Sequence, residues 1–296
     1  MGAILQWSFP TGSAESIMPE LPEMQALAER LDAAVAGRVV AGVDPLGFTA
    51  LKTVAPAPDE LVGSKVTGVG RRGKYLVLTL DGGLRVLVHL SQAGRLDIES
   101  PAKVTRPKGS VVRLRFDDGS AILVREHGSQ RKAGWWVLGP GDDGPLSSLG
   151  PEPDDEAFAE LLMTSDSTRR IHTLLRDQRT LAGLGRGYVD DVLNAVGLSP
   201  FTPMRTLTTE QRAALVDAIR SVLDDALEQE RTRTGGLSEP KLGLRFAVHN
   251  KVGQPCPRCG QPLLRVSYES YEIVYCKHCQ TNGRALADRR LSRLLR

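Results

Sequence analysis

The chain has 296 residues, 41% hydrophobic and 25% charged, with a net charge of +3, a length that suits about two domains with a real core. No apolar run approaches the roughly 18 residues a membrane span requires, and no basic start followed by an apolar stretch marks a secretory signal. Membrane and disulfide-stapled secreted classes are therefore set aside, and a cytoplasmic location is expected.

Residues 1–17 show neither repeat nor periodicity and read as an appendage. From Leu21 the apolar positions Leu21, Met24, Leu27, Leu31 and Val35 recur at three- and four-residue steps, and Pro22 with Glu20 and Glu23 suits a first turn, so a helix is predicted that ends near Gly37. From residue 38 to 140 the rhythm changes to short β-rich runs: Arg38 to Val43, Tyr75 to Leu80, Leu84 to Leu90, Val111 to Phe116, Ala121 to Val124 and Trp135 to Leu138. Asp81-Gly82-Gly83 and Asp117-Asp118-Gly119 punctuate them as hairpin turns, and this spacing predicts a sandwich or barrel. Prolines, glycines and the acids Asp142, Asp143, Glu152, Asp154, Asp155 and Glu156 then mark residues 141–160 as an acidic linker.

Beyond it the pattern is helical, with Ile171, Leu174 and Leu175 on one face. The glycine-rich turn Ala182-Gly183-Leu184-Gly185-Arg186-Gly187 precedes a second helix through Tyr188, Val192 and Leu193. Helix, tight glycine turn, helix is a shape that binds nucleic acid. A longer helix opens on the capping-box pattern Thr208-x-x-Gln211 and runs to about Arg231. The last fourteen residues carry Arg284, Arg289, Arg290, Arg293 and Arg296 against Asp288, a basic tail suited to a phosphate-rich partner or to a solvated helix face.

All four cysteines lie in two knuckles, Cys256-Pro-Arg-Cys259 and Cys276-Lys-His-Cys279, separated by 16 residues. That spacing suits a four-thiolate zinc ribbon holding one structural ion with no open ligand position. Two disulfides are the alternative, disfavoured in a reducing cytosol.

Four motifs fall in order along the chain: Met18-Pro-Glu-Leu-Pro-Glu23; Arg72-Gly73-Lys74-Tyr75-Leu76 with His89-Leu90; Asp177-Gln178-x3-Ala182-Gly183-Leu184-Gly185; and the ribbon ending Cys279-Gln280. Together they resemble the formamidopyrimidine-DNA glycosylase and endonuclease VIII family over Met18 to about Gln280. The resemblance implies an α+β multidomain fold: an N-terminal helix plus β-sandwich domain, a helix-two-turn-helix domain and a C-terminal four-cysteine zinc ribbon. The expected division is an extension at 1–17, an N-terminal catalytic β-sandwich domain at 18–140, an acidic linker at 141–160, a helix-two-turn-helix DNA-binding domain at 161–250, a zinc ribbon at 251–282 and a basic tail at 283–296.

It also implies a DNA repair glycosylase with abasic-site lyase activity, acting as a monomer on damaged or abasic double-stranded DNA. In the family an N-terminal proline amine attacks C1′ of the damaged nucleotide, which makes Pro19 the expected nucleophile and Glu20 the general acid/base. Lys74 matches a lysine that contacts phosphate beside the lesion, and His89 a phosphate-contacting histidine.

This sequence also departs from the family pattern. Gly-Asn-x-Tyr becomes Gly185-Arg186-Gly187-Tyr188, so Arg186 would hold phosphate as a charge. The hairpin arginine five residues before the third cysteine is replaced by Tyr271, and an intercalating methionine by Gln92. Arg-Arg-Phe-Gly becomes Arg131-Lys132-Ala133-Gly134, which loses an aromatic wedge unless Trp135 or Trp136 substitutes. Wedges offset the few kcal/mol, roughly, that base flipping requires, so a different lesion or a looser substrate is expected. The stretch from Gly235-Gly236 to Val248 is short, which argues against the usual oxidised-purine pocket.

Pro19 is internal in the full sequence, and a tertiary amide cannot form an iminium. Three readings stand: a start at Met18, which the onset of the match there favours; trimming of the extension; or binding of damaged DNA without catalysis. A zinc-ribbon RNA-binding protein is the weaker rival.

Overall fold

The structure, a computed structural model, describes residues 18–127, 131–233, 246–268 and 271–287; the extension, most of the stretch from Gly235 to Val248 and the arginines of the tail beyond Arg284 lie outside them. Helix α1 (Leu21–Val35) has proline in its first turn, and its buried Met24, Leu27, Leu31 and Val35 form the predicted apolar stripe. Each such side chain contributes roughly 1.5–3 kcal/mol by leaving water. The Glu23 carboxylate accepts the Glu20 backbone N–H at 2.7 Å, tying down the chain just ahead of the helix.

Eight strands follow: β1 (Val40–Pro45), β2 (Val66–Arg72), β3 (Tyr75–Leu80), β4 (Arg85–His89), β5 (Gly94–Glu99), β6 (Ser110–Phe116), β7 (Ala121–Glu126) and β8 (Gly134–Leu138). They form two four-stranded antiparallel sheets, ordered β1-β6-β7-β5 and β2-β3-β4-β8. The sheets face each other across a core that includes Leu76, Leu78, Val86, Val88, Val112, Leu114, Val124 and Trp135, closed at one side by α1. This is the expected sandwich. Strands β2 and β5 escape the sequence rhythm because Gly68, Gly70, Arg71 and Arg72 in one, and Arg95 and Asp97 in the other, break the apolar alternation. Cross-strand pairing defines both strands instead.

The acidic stretch is packed. Glu152 accepts from the Arg71 guanidinium at 2.6 Å, from Arg72 at 2.9 Å and from the Gly73 amide at 2.5 Å, clamping the β2–β3 turn. Helix α2 (Glu156–Thr164), absent from the sequence reading, buries Phe158 and Leu162. With α3 (Ile171–Leu175), α4 (Arg186–Val196) and α5 (Thr209–Thr232) it builds a second core around Leu184, Tyr188, Val192, Leu215, Ile219 and Phe246. Leu21 belongs to this second core, and its N–H donates to the Gly183 carbonyl at 3.0 Å, so the first turn of α1 is pinned between the domains.

Strands β9 (Leu264–Ser267) and β10 (Glu272–Tyr275) form a hairpin that leads into α6 (Lys277–Thr281), with a small third core around Val248, Leu263, Val274 and the cysteines. Among the described residues no helix is long and apolar enough to cross a membrane.

Candidate active site at the domain junction

Glu20 is 2% exposed, and its carboxylate crosses to the second domain, where Oε1 accepts the Gly187 N–H at 3.0 Å and Oε2 the Gly185 N–H. These amides open α4, whose unpaired N–H groups and dipole favour a negative charge there. Tyr188, one step further on, donates its hydroxyl to Glu23 at 2.5 Å. Two carboxylates of α1's first turn are thus anchored on α4, with half-buried Pro19 immediately before them.

Lys74 follows Gly73, a residue with φ +56° that admits glycine readily, and the ammonium turns toward the same spot. A Cβ built on Gly185 would lie 2.4 Å from the Glu20 carboxyl and 2.5 Å from Lys74 Nζ. Acid, cation and helix N-terminus therefore meet over a glycine that has no room for a side chain. Gly185→Ala must displace both groups, and a shift of that size is expected to lower turnover at least ~10²-fold while binding of an abasic duplex persists. Single-turnover kinetics beside equilibrium binding check it.

The groups face a cleft of about 490 Å³, to which Met18, Glu20, Lys74 and Gln92 come from one domain, Arg169, Arg176, Asp177, Gly185 and Arg186 from the other, and His249, Asn250 and Glu272 from the ribbon side. A second cleft of about 460 Å³ shares Met18, Lys74, Arg176 and Asp177 and adds His89 and Tyr75. Burial, aided by the Lys74 charge, pushes the His89 imidazole down to about 4. At neutral pH it is an uncharged donor, and charge at this wall comes from Lys74.

Gln92 stands exposed on the turn after β4, at the cleft mouth. Arg131 and Lys132 are exposed on the approach to β8 and line neither cleft; the Lys132 amide is held by Glu126 at 2.8 Å. Trp135 is wholly buried and Trp136 packs edge-on against Tyr75 at 5.5 Å, so the nearby tryptophans belong to the sandwich and the aromatic wedge is not restored by Trp135. Tyr271 stacks on Tyr268 with ring centroids 4.5 Å apart, and the Arg176 and Arg186 guanidinium groups lie 4.1 and 5.7 Å from its centroid.

Sequence reasoning missed Arg169, Arg176 and His249. Fully buried Asp190 meets His249 Nδ1 at 2.7 Å and His172 Nε2 at 3.2 Å, while Asp191 accepts the amides of Ala247, Val248 and His249. Burial pushes Asp191 up to about 6. Burial opposes ionisation of Asp190 too, but its histidine hydrogen bonds outweigh that and lower it. This network seats residues 247–249 on α4 and brings His249 to the cleft. Only the adjacent pair Asp190-Asp191 among the buried residues of α4 hinted at it.

The four cysteine sulfurs lie within 4.8 Å of one another, Cys259 and Cys276 being 3.5 Å apart, and all are free thiols. Ligands about 2.3 Å from a tetrahedral ion are themselves about 3.8 Å apart, so the cluster is compatible with a metal and shows no disulfide. Gln280 ties it to α4, accepting from the Cys276 amide at 2.8 Å and from Asn194 at 3.2 Å.

Residues 18–136 match the formamidopyrimidine-DNA glycosylase N-terminal domain, and residues 149–236 its H2TH domain. The formamidopyrimidine-DNA glycosylase of Chloroflexus aggregans is 34% identical over 89% of this chain and 98% of its own length, and that of Thermus thermophilus is 34% identical over 90% and 100%. Among solved structures, the Lactococcus lactis enzyme in complex with DNA containing N7-benzyl-Fapy-dG aligns with TM-score 0.78 and 25% identity over 89% of this chain and 100% of that one. The same enzyme with DNA containing an abasic site aligns with TM-score 0.77 and 25% identity over 88% and 99%.

Proposed function

The chain belongs to the formamidopyrimidine-DNA glycosylase family and is a DNA repair glycosylase acting on damaged or abasic DNA; we propose that the amine of Pro19 carries its reaction, with lyase activity following from the same intermediate. The observation that carries this reading is the meeting of Glu20, the residue after Pro19, with Lys74 over Gly185. The amine nitrogen attacks C1′ and the base leaves with its bonding electrons. Glu20 takes the amine proton as the new bond forms and the base departs, and returns it to the sugar ring oxygen as the bond from that oxygen to C1′ opens and an iminium forms. The iminium acidifies the C2′ proton, so elimination can then expel the 3′ phosphate. Lys74 holds charge against the backbone, Arg186 and the neutral His89 add phosphate contacts, and Gln92 occupies the wedge position.

A cleft of about 490 Å³ is of the size that takes small ligands, which suits a nucleotide flipped out of the stack. We take the protein to act as a monomer on damaged or abasic duplex DNA in the cytoplasm. The domain limits proposed above, 18–140, 161–250 and 251–282, place the reacting groups at the first boundary.

The reading is tested by incubating a chain that starts at Pro19 with an abasic duplex and borohydride. A covalent protein–DNA adduct on a denaturing gel is expected, and protein that binds the duplex without any adduct is a silent damage binder.

We assign one structural zinc ion to Cys256, Cys259, Cys276 and Cys279; when bound, it closes the ribbon and leaves no position for substrate. Chelation is expected to release one zinc per chain and to weaken duplex binding by about an order of magnitude, as the ribbon's phosphate contacts are lost. Metal analysis with a binding titration checks it, and full affinity in metal-free protein overturns the ribbon's role.

A further inference from the structure

Arg176 ends α3 half-buried, and its guanidinium lies on the Tyr271 ring without a hydrogen bond or ion pair to any described residue. The acids that share its cleft are engaged elsewhere: Asp177 with Arg169 at 2.9 Å, Glu272 with Arg265 at 2.9 Å, and Glu20 with the α4 amides. Arg186 approaches the same ring, so a second guanidinium lies beside that of Arg176. Such an arrangement favours an anionic ligand. A guanidinium held over an aromatic ring has fewer orientations open to it, and its planar fork of N–H groups can take two oxygens of one phosphate. Arg176 lines both clefts, as does Lys74.

We propose that Arg176, seated on Tyr271, grips a phosphodiester of the bound strand next to the reacting nucleotide. The inference rests on the glycosylase reading above. It gives Tyr271, which stands where the family resemblance leads one to expect a hairpin arginine, the task of orienting a guanidinium delivered from the end of α3.

The test measures equilibrium binding of a duplex carrying a tetrahydrofuran abasic analogue, over a range of salt concentrations. Arg176→Ala is expected to bind roughly tenfold more weakly at ~0.1 M salt and to lower the slope of log affinity against log salt by about one. Arg176→Lys is expected to restore the slope and only part of the affinity, because a point charge lacks the fork. Arg176→Ala with Tyr271→Arg is expected to regain both, which a merely structural loss would not allow. An unchanged slope in Arg176→Ala, with the parent chain still trapped by borohydride, overturns the proposal and leaves the glycosylase reading standing. A parent chain that neither binds nor is trapped overturns both.

Discussion

A chain beginning at Pro19 is expected to be trapped on an abasic duplex by borohydride, whereas the chain retaining residues 1–18 is expected to give at least ~10³-fold less adduct. Within the chain the Pro19 nitrogen is a tertiary amide: its lone pair is delocalised into the preceding carbonyl and it carries no proton to lose. Freed, it becomes a secondary amine of the α-amino type, with a pKa of about 8, so a useful neutral fraction exists at pH 7. Trapping should accordingly rise as pH increases toward 8 and then level, since only the deprotonated amine attacks. Equal trapping of the two chains would remove Pro19 from the mechanism and move attention to the other amine at this junction, Lys74, whose Nζ stands over Gly185 beside the Glu20 carboxyl.

Glu20→Gln is expected to slow base release about 10²- to 10⁴-fold while affinity for an uncleavable abasic duplex changes little. The substitution keeps the volume of the side chain, which has none to spare at 2% exposure, and removes its ability to take up a proton. It also turns one acceptor into a donor where both carboxylate oxygens now receive amide hydrogens, from Gly185 and Gly187. That mismatch is expected to cost about 1–3 kcal/mol of stability. A thermal melt measured with the kinetics separates the two effects, because a folded variant that still binds but does not release base has lost the proton carrier. Normal turnover in a destabilised variant would make Glu20 a cap for α4 and nothing more.

Both predictions concern residues that the sequence singles out, yet the reason they act together is not local. The motif around Pro19 and Glu20 reads by itself as a helix start, and α1 does begin there. That the Glu20 carboxylate would skip its own helix and cap another more than a hundred residues away follows from the packing of Leu21 in the second core and the bond from Leu21 to Gly183. Likewise the resemblance leads one to expect an arginine where Tyr271 stands, but that a guanidinium from the end of α3 lies over that ring is visible only in the folded chain. The acidic stretch reads as a linker on composition, whereas Glu152 neutralises Arg71 and Arg72 and braces the turn that aims Lys74.

What the sequence by itself determined is whatever repeats or caps within a few residues. The stripe of α1, the turns at Asp81 and Asp117, the cysteine knuckles and the Thr208–Gln211 capping box, present with bonds of 3.1 and 3.3 Å, all belong here. These are set by backbone geometry and ligand spacing, which act locally. Tertiary structure alone decided strands β2 and β5, the burial of Trp135, the Asp190 network and the convergence on Gly185. Each depends on hydrogen bonds, charge pairs or close packing between segments far apart in the chain, and such contacts come into being only when the two cores close on α1.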